Sequence, residues 1–502
     1  MSTTLTTEPL IQSGLAFARQ YGTQLAIAGT VLLASGAYAI FESASSGKSI
    51  PGPKSWPFIG EFLTIGKYIA DRRVHMFFHD IQEKYGPIGT VHILGRTSVL
   101  ISDADEIKRV LKGDDKCEFI RSEEFQLTHK GIAHYALFLI PTGDVWKRHR
   151  KFLQPGFGPV QLRAAAEASN QYMDLMITKL GASSKINMHL VANAVVLDII
   201  GAIAFSKDLG TTALLDRPAE LDEAFSPFKN IAQITSNRFG LNEWLWDRFG
   251  VGMKIGIDES RAIKEITRKT LAERRALSTP HPNEDLMDRL LFVDTSGDAK
   301  FTEEEILDEI YGFFLAGHET TANLITFVMI ELMKHPDVYE KAQQEVDSIL
   351  GRDGLPAHEQ LSQFKYIDMV IKETLRMYPP VPLLARRTTK DTQILGYHVK
   401  SGIEINVVIS HLHRNPKYWE NPEEFNPDRW IKPHYPGSYL PFGDGPMNCI
   451  GQKMANIETR IFVIRALQRY NFKLLDPSQL RIVFSITQGY KDGVDVLVEQ
   501  RA

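Results

Sequence analysis

Near the C-terminal end of the chain, a glycine-rich segment delivers a cysteine to the start of a helical stretch. The segment reads PFGDGPMNCIG over residues 441–451, and the run IGQKMANIETRIFVIRALQRY continues from it. A thiol at a helix N-terminus feels the positive end of the dipole, which favours the metal-binding thiolate. Gly443 and Gly445 allow a tight turn that brings backbone amides towards the sulfur of Cys449. The pattern indicates a metal-binding thiolate, although a buried structural cysteine can also follow a glycine turn.

A second group of reactive residues lies in an apolar stretch that reads AGHETT over residues 316–321. Glu319 is the only carboxylate between Glu309 and Glu331. Burying a carboxylate is costly, so Glu319 needs a partner, a shifted pKa or a water-filled cavity. An acid beside the hydroxyl of Thr320 suits proton delivery; the alternative is a helix kink with a solvated acid. A zinc-protease motif is excluded, because it needs a second histidine where the chain has Ala322.

Two charged pairs have the spacing of helix neighbours. Glu373 and Arg376 are three residues apart among apolar residues, which favours a buried pair. Breaking a buried pair costs about 3–5 kcal/mol, whereas an exposed helix pair contributes about 0.2–0.5 kcal/mol. Trp146 and Arg150 lie in the run WKRHRK. That run is either a solvated basic face, a grip on an anion, or both, with one edge left for an acidic partner protein.

The cysteine segment and AGHETT together resemble two signatures of the cytochrome P450 family. The family's haem-binding pattern, F-x-x-G-x-R-x-C-x-G, is matched at Phe442, Gly445, Cys449 and Gly451. AGHETT is similar to the family's oxygen-activation motif. By this resemblance, Cys449 is the axial ligand of the iron of haem b.

Three further segments resemble the family's structural motifs. ETLR at 373–376 is similar to its E-x-x-R helix, and FNPDRW at 425–430 is similar to the meander whose arginine, here Arg429, joins that helix. Trp146 and Arg150 match the W-x-x-x-R of a helix that grips a haem propionate. The motifs occur in the family's order from about residue 50 to the C-terminus. They imply a mainly α-helical cytochrome P450 fold with small β-sheets.

The sequence departs from the haem-binding pattern at one position, where Met447 replaces the signature arginine. One expected propionate partner is therefore missing. Arg386 falls where other members place a propionate contact, so the resemblance assigns haem anchoring to Trp146, Arg150 and Arg386.

The resemblance also implies the reaction. It casts Glu319 and Thr320 as the proton-delivery pair of a monooxygenase that inserts one atom of O2 into a lipophilic substrate. That substrate is a fatty acid, steroid, terpenoid or xenobiotic. Family position suggests a set of mostly large apolar pocket residues: Phe138, Phe313, Ala316, Val381, Leu384 and Ile486.

Electrons must come from a partner, because the chain has no dinucleotide-binding fingerprint of the G-x-G-x-x-G kind. The implied donor is a membrane-bound NADPH–cytochrome P450 reductase, with cytochrome b5 as a further candidate. Two other functions remain open: a P450-fold enzyme that rearranges peroxides without a reductase, and a non-catalytic haem binder. The acid–alcohol pair argues against both, since neither needs it.

The elements that must position these residues can be read in part. A capping box at Thr302 and Glu305 predicts the start of a buried helix that runs to about Lys334, before His335-Pro336. Residues 88–102 predict a hairpin turning at Gly95-Arg96, and a second strand region lies near 392–409.

The N-terminal part predicts a membrane anchor. No charged residue occurs between Gln20 and Phe41, a length that can cross the hydrocarbon layer. A cleaved signal peptide is the alternative, but the residues before the apolar run are poor in positive charge. We predict a polar segment (1–21), an anchor (22–41), a proline-rich hinge (42–60) and one catalytic domain (61–502). The expected location is the endoplasmic reticulum membrane, single-pass, with the catalytic domain facing the cytosol.

Composition is consistent with one globular enzyme. The chain has 502 residues, of which 43% are hydrophobic and 24% charged, and no internal linker is evident. A formal net charge of −4 gives no indication of nucleic-acid binding.

Overall fold

Helices make up most of the computed structural model, which describes residues 49–56, 59–112, 118–238, 253–277, 285–292 and 301–501. The predicted anchor at 22–41 and the polar segment before it lie outside these residues. The helices in chain order are α1 (Phe62–Ala70), α2 (Val74–Tyr85), α3 (Ala104–Lys112), α4 (Glu124–Thr128), α5 (Asp144–Leu153), α6 (Pro159–Leu180), α7 (Met188–Phe205), α8 (Pro218–Arg238), α9 (Met253–Ala276), α10 (Leu286–Phe292), α11 (Glu303–Lys334), α12 (Pro336–Leu350), α13 (Lys365–Met377), α14 (Ile409–Leu412) and α15 (Gln452–Arg469).

The strands are short and form small sheets, which confirms the predicted fold class. In chain order they are β1 (Ile88–Ile93), β2 (Arg96–Ile101), β3 (Phe119–Ile120), β4 (Ser183–Asn187), β5 (Leu383–Thr388), β6 (Thr392–Ile394), β7 (Tyr397–Val399), β8 (Glu404–Val408), β9 (Tyr470–Leu474), β10 (Ile482–Phe484), β11 (Gln488–Tyr490) and β12 (Asp495–Gln500).

The largest sheet has five strands in the order β1-β2-β8-β5-β3. Strands β2 and β8 are parallel, with Val99 opposite Ile405, and the other neighbours are antiparallel. The predicted hairpin is confirmed, since β1 and β2 join through Leu94 (φ 49°) and Gly95 (φ 78°). The remaining sheets are β4-β12-β9, β6-β7 and β10-β11.

Helix α11 begins and ends where the sequence predicts. Thr302 is the N-cap, and its hydroxyl accepts from the amide of Glu305 (3.2 Å) while the Glu305 carboxylate accepts from the amide of Thr302 (2.8 Å). The helix has 32 residues and is therefore about 48 Å long. It ends at Lys334, because Pro336 disfavours helical geometry in His335, the residue before it.

Helices α7 and α11 form the centre of the main core. Both are long and apolar enough to cross a membrane, but 83% and 72% of their apolar windows are buried inside the protein. Burial makes them core helices. A Cβ added at Gly317 would lie 2.8 Å from Cδ1 of Ile200, so the glycine permits α7 to approach α11 closely. This packing explains a glycine in the middle of a helix, where it costs about 1 kcal/mol relative to alanine.

The end of the predicted hinge is attached to the large sheet. The carbonyl of Pro51 accepts from the amide of Thr90 on β1 (2.8 Å), and the amide of Gly60 donates to the carbonyl of Trp56 (2.7 Å). The proline-rich segment therefore joins the catalytic body at β1.

Candidate active site

The segment that carries Cys449 folds into a loop closed by its own backbone. The amide of Cys449 donates to the carbonyl of Phe442 (2.9 Å), and the amide of Asn448 donates to the carbonyl of Gly445 (3.2 Å). Gly445 has φ +71°, and an added Cβ would lie 2.1 Å from the carbonyl oxygen of Leu111 at the end of α3. Glycine is therefore required there twice, by the backbone conformation and by the close approach of α3.

The thiol of Cys449 lies at the start of α15. The backbone amides of Gly451 and Gln452 donate towards its sulfur, and these contacts lower the pKa of the thiol. Burial acts more strongly in the opposite direction, so the pKa of Cys449 is raised above its usual value. Among the described residues Cys449 is a free cysteine, and its residue as a whole is exposed. Iron bound at this sulfur would deprotonate it outright.

Helix α5 is packed against the cysteine loop through Arg150. Its guanidinium donates to the carbonyl of Asn448 (2.8 Å) and to the side-chain oxygen of Asn448 (2.9 Å). The charge of Arg150 also lowers the pKa of Cys449. Trp146, one turn earlier, is buried in the main core. The predicted basic run is thus two-sided: Trp146 and Arg150 face inwards, whereas Lys147 and Lys151 are exposed.

Three arginines converge near this loop. The guanidinium of Arg121 donates to the carbonyls of Leu137 (2.9 Å) and Ile140 (3.2 Å). Burial and the charges of Arg386 and Arg150 lower the pKa of Arg121 well below its usual range. Like charges gathered in a buried place favour an anion between them. The two propionates of haem b meet this requirement, and the thiol of Cys449 supplies an axial ligand, so the residues present fit the group.

Met447, at the position of the signature arginine, packs beside the main core. The hydroxyl of Thr142 contacts its sulfur at 3.6 Å, while the same hydroxyl accepts from the amide of Arg121 (2.8 Å). Arg121 thus lies near the position where the signature charge is missing.

Glu373 and Arg376 form a fully buried pair on α13. The guanidinium of Arg376 donates to both carboxylate oxygens of Glu373 (3.0 and 2.9 Å), and both side chains are 0% exposed. Arg429 donates to the same carboxylate through Nε (2.8 Å), as do the indole of Trp430 (3.0 Å) and the amide of Asn426 (3.0 Å). The structure therefore brings together the three residues that the sequence assigned to one network.

This network is connected to the cysteine loop through His413. Its Nδ1 lies 3.2 Å from the carbonyl of Arg376, and its Nε2 accepts from the amide of Leu440 (2.8 Å). The E-x-x-R helix thus fixes the start of the segment that delivers Cys449.

Glu319 and Thr320 lie in the middle of α11. The hydroxyl of Thr487 donates to Oε1 of Glu319 (2.8 Å) and accepts from the side-chain amide, Nδ2, of Asn323 (3.1 Å). Burial raises the pKa of Glu319, while Thr487 and the more distant charge of Arg72 lower it. The hydroxyl of Thr320 donates to the carbonyl of Ala316 (2.7 Å). Glu319 thus has the partner and the shifted pKa that its sequence position requires.

One strip of α11 remains accessible although most of the helix is buried. Ala316 is exposed, and Phe313 and Thr320 on the same face are partly exposed. Phe313 packs against Phe157 (5.9 Å between ring centroids), and Phe157 in turn is the nearest neighbour of an added Cβ at Gly451 (3.7 Å). The accessible strip and the start of the cysteine helix therefore approach one another through Phe157.

The other predicted pocket residues fall into two places. Phe138 and Ile486 pack against one cluster with Tyr311 and Leu315 of α11. Leu384 on β5 lies 3.4 Å from an added Cβ at Gly443, beside the cysteine loop. Val381 precedes β5 and is partly exposed.

The segment that carries Phe138 is held by acids of α11. Asp308 accepts from the amide of His134 (2.7 Å), and Glu309 accepts from the amide of Leu137 (3.1 Å). His149 of α5 contacts the second oxygen of Glu309 (2.5 Å). Burial raises the pKa of Glu309.

Comparison with known proteins identifies the family. The family model described as Cytochrome P450 matches residues 50–486. The chain belongs to the cytochrome P450 family. Cytochrome P450 3A14 of Cavia porcellus is 30% identical over 447 residues, which are 84% of this chain and 85% of that protein. Cytochrome P450 4d2 of Drosophila melanogaster is 28% identical over 490 residues, which are 90% of this chain and 94% of that protein.

A solved P450 structure shares the fold. The crystal structure of the cytochrome P450DA heme domain has a TM-score of 0.76, with 22% sequence identity, and covers 90% of this chain and 97% of that chain. Family and fold confirm the predictions of a cytochrome P450 monooxygenase and of haem b as its cofactor.

Several residues of the site escaped sequence reasoning. They are Arg121, Thr487, His413, Asn448 and Trp430. Arg121 and Thr487 lie in segments without a motif, and no local signal marks either of them. Trp430 is inside FNPDRW and Asn448 precedes Cys449, so their positions beside assigned residues are the only sequence signal that could have marked them.

Proposed function

We propose that this P450 hydroxylates a lipophilic substrate with electrons delivered from NADPH by a membrane-bound reductase. The observation that carries the proposal is the acid–alcohol pair of α11, in which Glu319 is held by Thr487 and the neighbouring Thr320 lies on the accessible strip. Haem b, held through its iron by the thiolate of Cys449, would supply the reductive activation of dioxygen. Relatives of the fold that rearrange peroxides have no need of such a pair.

We assign the binding of haem to residues on both sides of the cysteine loop. Cys449 ligates the iron, and the amides of Gly451 and Gln452 stabilise its thiolate. The guanidinium groups of Arg150 and Arg386 pair with the propionates in this proposal, and Arg121 is added to the predicted set. The complete set is Arg121, Trp146, Arg150, Arg386, Phe442, Gly445, Cys449 and Gly451.

Glu319 holds and moves the proton in this proposal. Because burial raises its pKa, the carboxyl keeps a proton to higher pH than an exposed glutamate does. Thr320, the next residue, carries a hydroxyl on the accessible strip and passes the proton on towards the reacting oxygen. Thr487 fixes the carboxyl from the other side, which limits its rotamers.

We propose that the substrate is apolar. The six residues assigned to its pocket are mainly large and hydrophobic, which suits fatty acids, steroids, terpenoids and xenobiotics. The list is Phe138, Phe313, Ala316, Val381, Leu384 and Ile486.

The reductase is proposed to dock beside the cysteine loop. Lys147 and Lys151 are exposed on α5, whose inner face holds the loop through Arg150. A groove next to the loop, with Phe442 and Gly443 in its lining, is also lined by four basic residues, two of which pair with Asp368: Lys365, Lys453, and the paired Lys372 and Arg460. A basic surface close to the iron ligand is complementary to an acidic electron donor. Cytochrome b5 is a second candidate for the same surface.

Membrane attachment is proposed at the N-terminal end. Trp56 in the predicted hinge (42–60) is 66% exposed, and Leu63 and Ile69, just after the hinge, are 62% and 41% exposed. Apolar side chains at this place can contact the bilayer that the predicted anchor (22–41) enters. We therefore propose a single-pass protein of the endoplasmic reticulum, with the catalytic domain (61–502) in the cytosol.

Two measurements test the proposed function. The reduced, carbon-monoxide-treated protein should show the optical signature of thiolate ligation, and an imidazole-like signature would contradict the role of Cys449. A difference-spectrum screen of lipophilic compounds against the ferric protein then selects a substrate. Turnover of that substrate should depend on NADPH and reductase; turnover with a peroxide alone, and none with NADPH, would favour a rearranging enzyme.

The Thr320→Ala variant tests the acid–alcohol pair. It should keep its haem but release reducing equivalents as peroxide, because the hydroxyl that would pass on the proton from Glu319 is missing. The measurement is product and peroxide formed per NADPH consumed. Unchanged coupling in Thr320→Ala would refute the assigned role of the hydroxyl.

A further inference from the structure

Two histidines and a glutamate meet on the surface, on elements that the proposed reaction does not use. His79 and Glu83 lie one turn apart on α2, and His411 lies on α14. Nε2 of His79 is 3.9 Å from Oε1 of Glu83, and Nδ1 of His411 is 3.4 Å from the same oxygen. One ligand atom from each residue lies within 4.8 Å of the other two.

The donor atom of His411 is buried and has no other use in the described part of the chain. The side chain is 6% exposed, and Nδ1 has no hydrogen-bond partner among the residues of the ranges given above. A buried polar atom without a partner is unusual and calls for a ligand. His411 is aimed at the oxygen of Glu83, and its ring packs edge-on against that of His79 (5.1 Å).

The charges that reach His79 are those of Glu83, Asp80 and Glu423, opposed by that of Arg414. Three carboxylates against one guanidinium leave a negative field, which attracts a cation.

We propose that His79, Glu83 and His411 bind a zinc ion. Two imidazole nitrogens and one carboxylate oxygen form a recognised zinc ligand set that leaves a fourth position for water. Tetrahedral ligands at about 2.0–2.1 Å from zinc are about 3.3–3.4 Å apart. The nitrogen of His411 already lies at that separation from Glu83, and His79 must approach by a rotamer adjustment. Magnesium and calcium prefer oxygen ligands and are excluded.

The ion would connect two elements that no covalent bond joins. Helix α2 packs on the large sheet, and α14 follows β8 and leads directly to His413, which contacts the cysteine segment. Zinc would therefore stabilise this side of the fold. A direct role in oxidation is not expected, because these three residues lie outside the assigned catalytic and pocket sets.

The test uses the full-length, haem-loaded protein. Calorimetric titration with ZnCl2 should give saturable binding that EDTA reverses, and MgCl2 should give none. Glu83→Gln, His79→Ala and His411→Ala should each weaken zinc affinity by more than about tenfold, since even partners outside the ligand shell contribute about 10–100-fold. Glu83 is 57% exposed, so its variant should fold normally even if His411→Ala does not.

A matched control exists elsewhere in the same chain. His398 and Asp391 form an exposed histidine–carboxylate pair (3.3 Å) with two donors instead of three. His398→Ala should leave zinc affinity unchanged. Zinc should also raise the melting temperature of the wild type but not of Glu83→Gln. Absence of saturable binding, or binding that survives all three ligand variants, would overturn the proposal.

Discussion

The hydroxyl of Thr487 donates a 2.8 Å hydrogen bond to Oε1 of Glu319 and so links the segment before β11 to the middle of α11. The same segment carries Ile486, one of the residues assigned to the substrate pocket. Thr487 is therefore a positioning residue: it orients the carboxyl and stabilises its ionised form.

Replacing Thr487 by valine should shift the pH dependence of coupling. Loss of the donor removes an interaction that lowers the pKa of Glu319, so the pKa rises further. The carboxyl then stays protonated to higher pH. The alkaline limb, which is the loss of product formed per NADPH as the pH rises, should therefore shift to higher pH. Coupling at neutral pH should also fall, because the carboxyl is no longer oriented. The measurement is product formed per NADPH consumed, followed from about pH 6 to about pH 9.

Two companions make this test specific. Thr487→Ser keeps a hydroxyl and should retain the wild-type limb. Glu319→Gln should abolish the limb; if it leaves coupling intact, Glu319 is not the proton donor. In a further outcome, Glu319→Gln lowers product formed per NADPH while Thr487→Val leaves the alkaline limb in place. That result would contradict the positioning role of Thr487 but not the proton-donor role of Glu319.

Removing the charge of Arg121 should weaken haem binding. In Arg121→Gln, one of three converging guanidinium groups is lost, and hydrogen bonds to charged groups contribute about 1.5–3 kcal/mol. We expect haem transfer to an acceptor apoprotein to become about tenfold faster or more. Lys151→Gln, on the exposed side of α5, is the control for loss of a positive charge. Equal transfer rates in both variants would show that Arg121 does not serve the propionates.

The carboxylate of Glu373 should be essential for stability. Glu373→Gln leaves the buried guanidinium of Arg376 without its counter-charge, which costs about 3–5 kcal/mol. The expected result is a lower midpoint of chemical unfolding together with reduced haem content. The exposed pair of Arg163 and Glu359 offers the comparison, and Glu359→Gln should leave the midpoint unchanged. A wild-type midpoint in Glu373→Gln would mean that the network contributes nothing to stability.

An alanine at Gly445 should disrupt the cysteine loop. The new Cβ would meet the carbonyl of Leu111 at 2.1 Å, and φ of +71° adds about 1–2 kcal/mol of strain. Gly95 has a similar φ (+78°), but an added Cβ there would meet no atom within 4 Å. Gly95→Ala therefore shows the effect of backbone strain without the steric clash. We expect haem loss in Gly445→Ala and normal haem content in Gly95→Ala. The carbon-monoxide spectrum of each variant measures this, and matching spectra would contradict the packing argument.

Local sequence predicted the elements but not all of their contacts. The limits of α11, the hairpin of β1 and β2 and the buried pair Glu373–Arg376 depend on residues close together in the chain. Capping, turn geometry and helix spacing therefore revealed them.

Contacts between distant segments could not be read in this way. Thr487 lies 168 residues from Glu319, and Arg121 lies in a polar run that looks like any solvated surface. The close contact of Gly317 with Ile200 of α7 is a further pairing of this kind. Such pairings are set by how helices pack.

The hydrogen bond from Thr320 to the carbonyl of Ala316 has a consequence for the resting enzyme. A hydroxyl engaged with its own helix has no free hydrogen for another acceptor. If Thr320 is to pass on a proton, its side chain must first rotate away from that carbonyl, so transfer through this hydroxyl requires a change of rotamer.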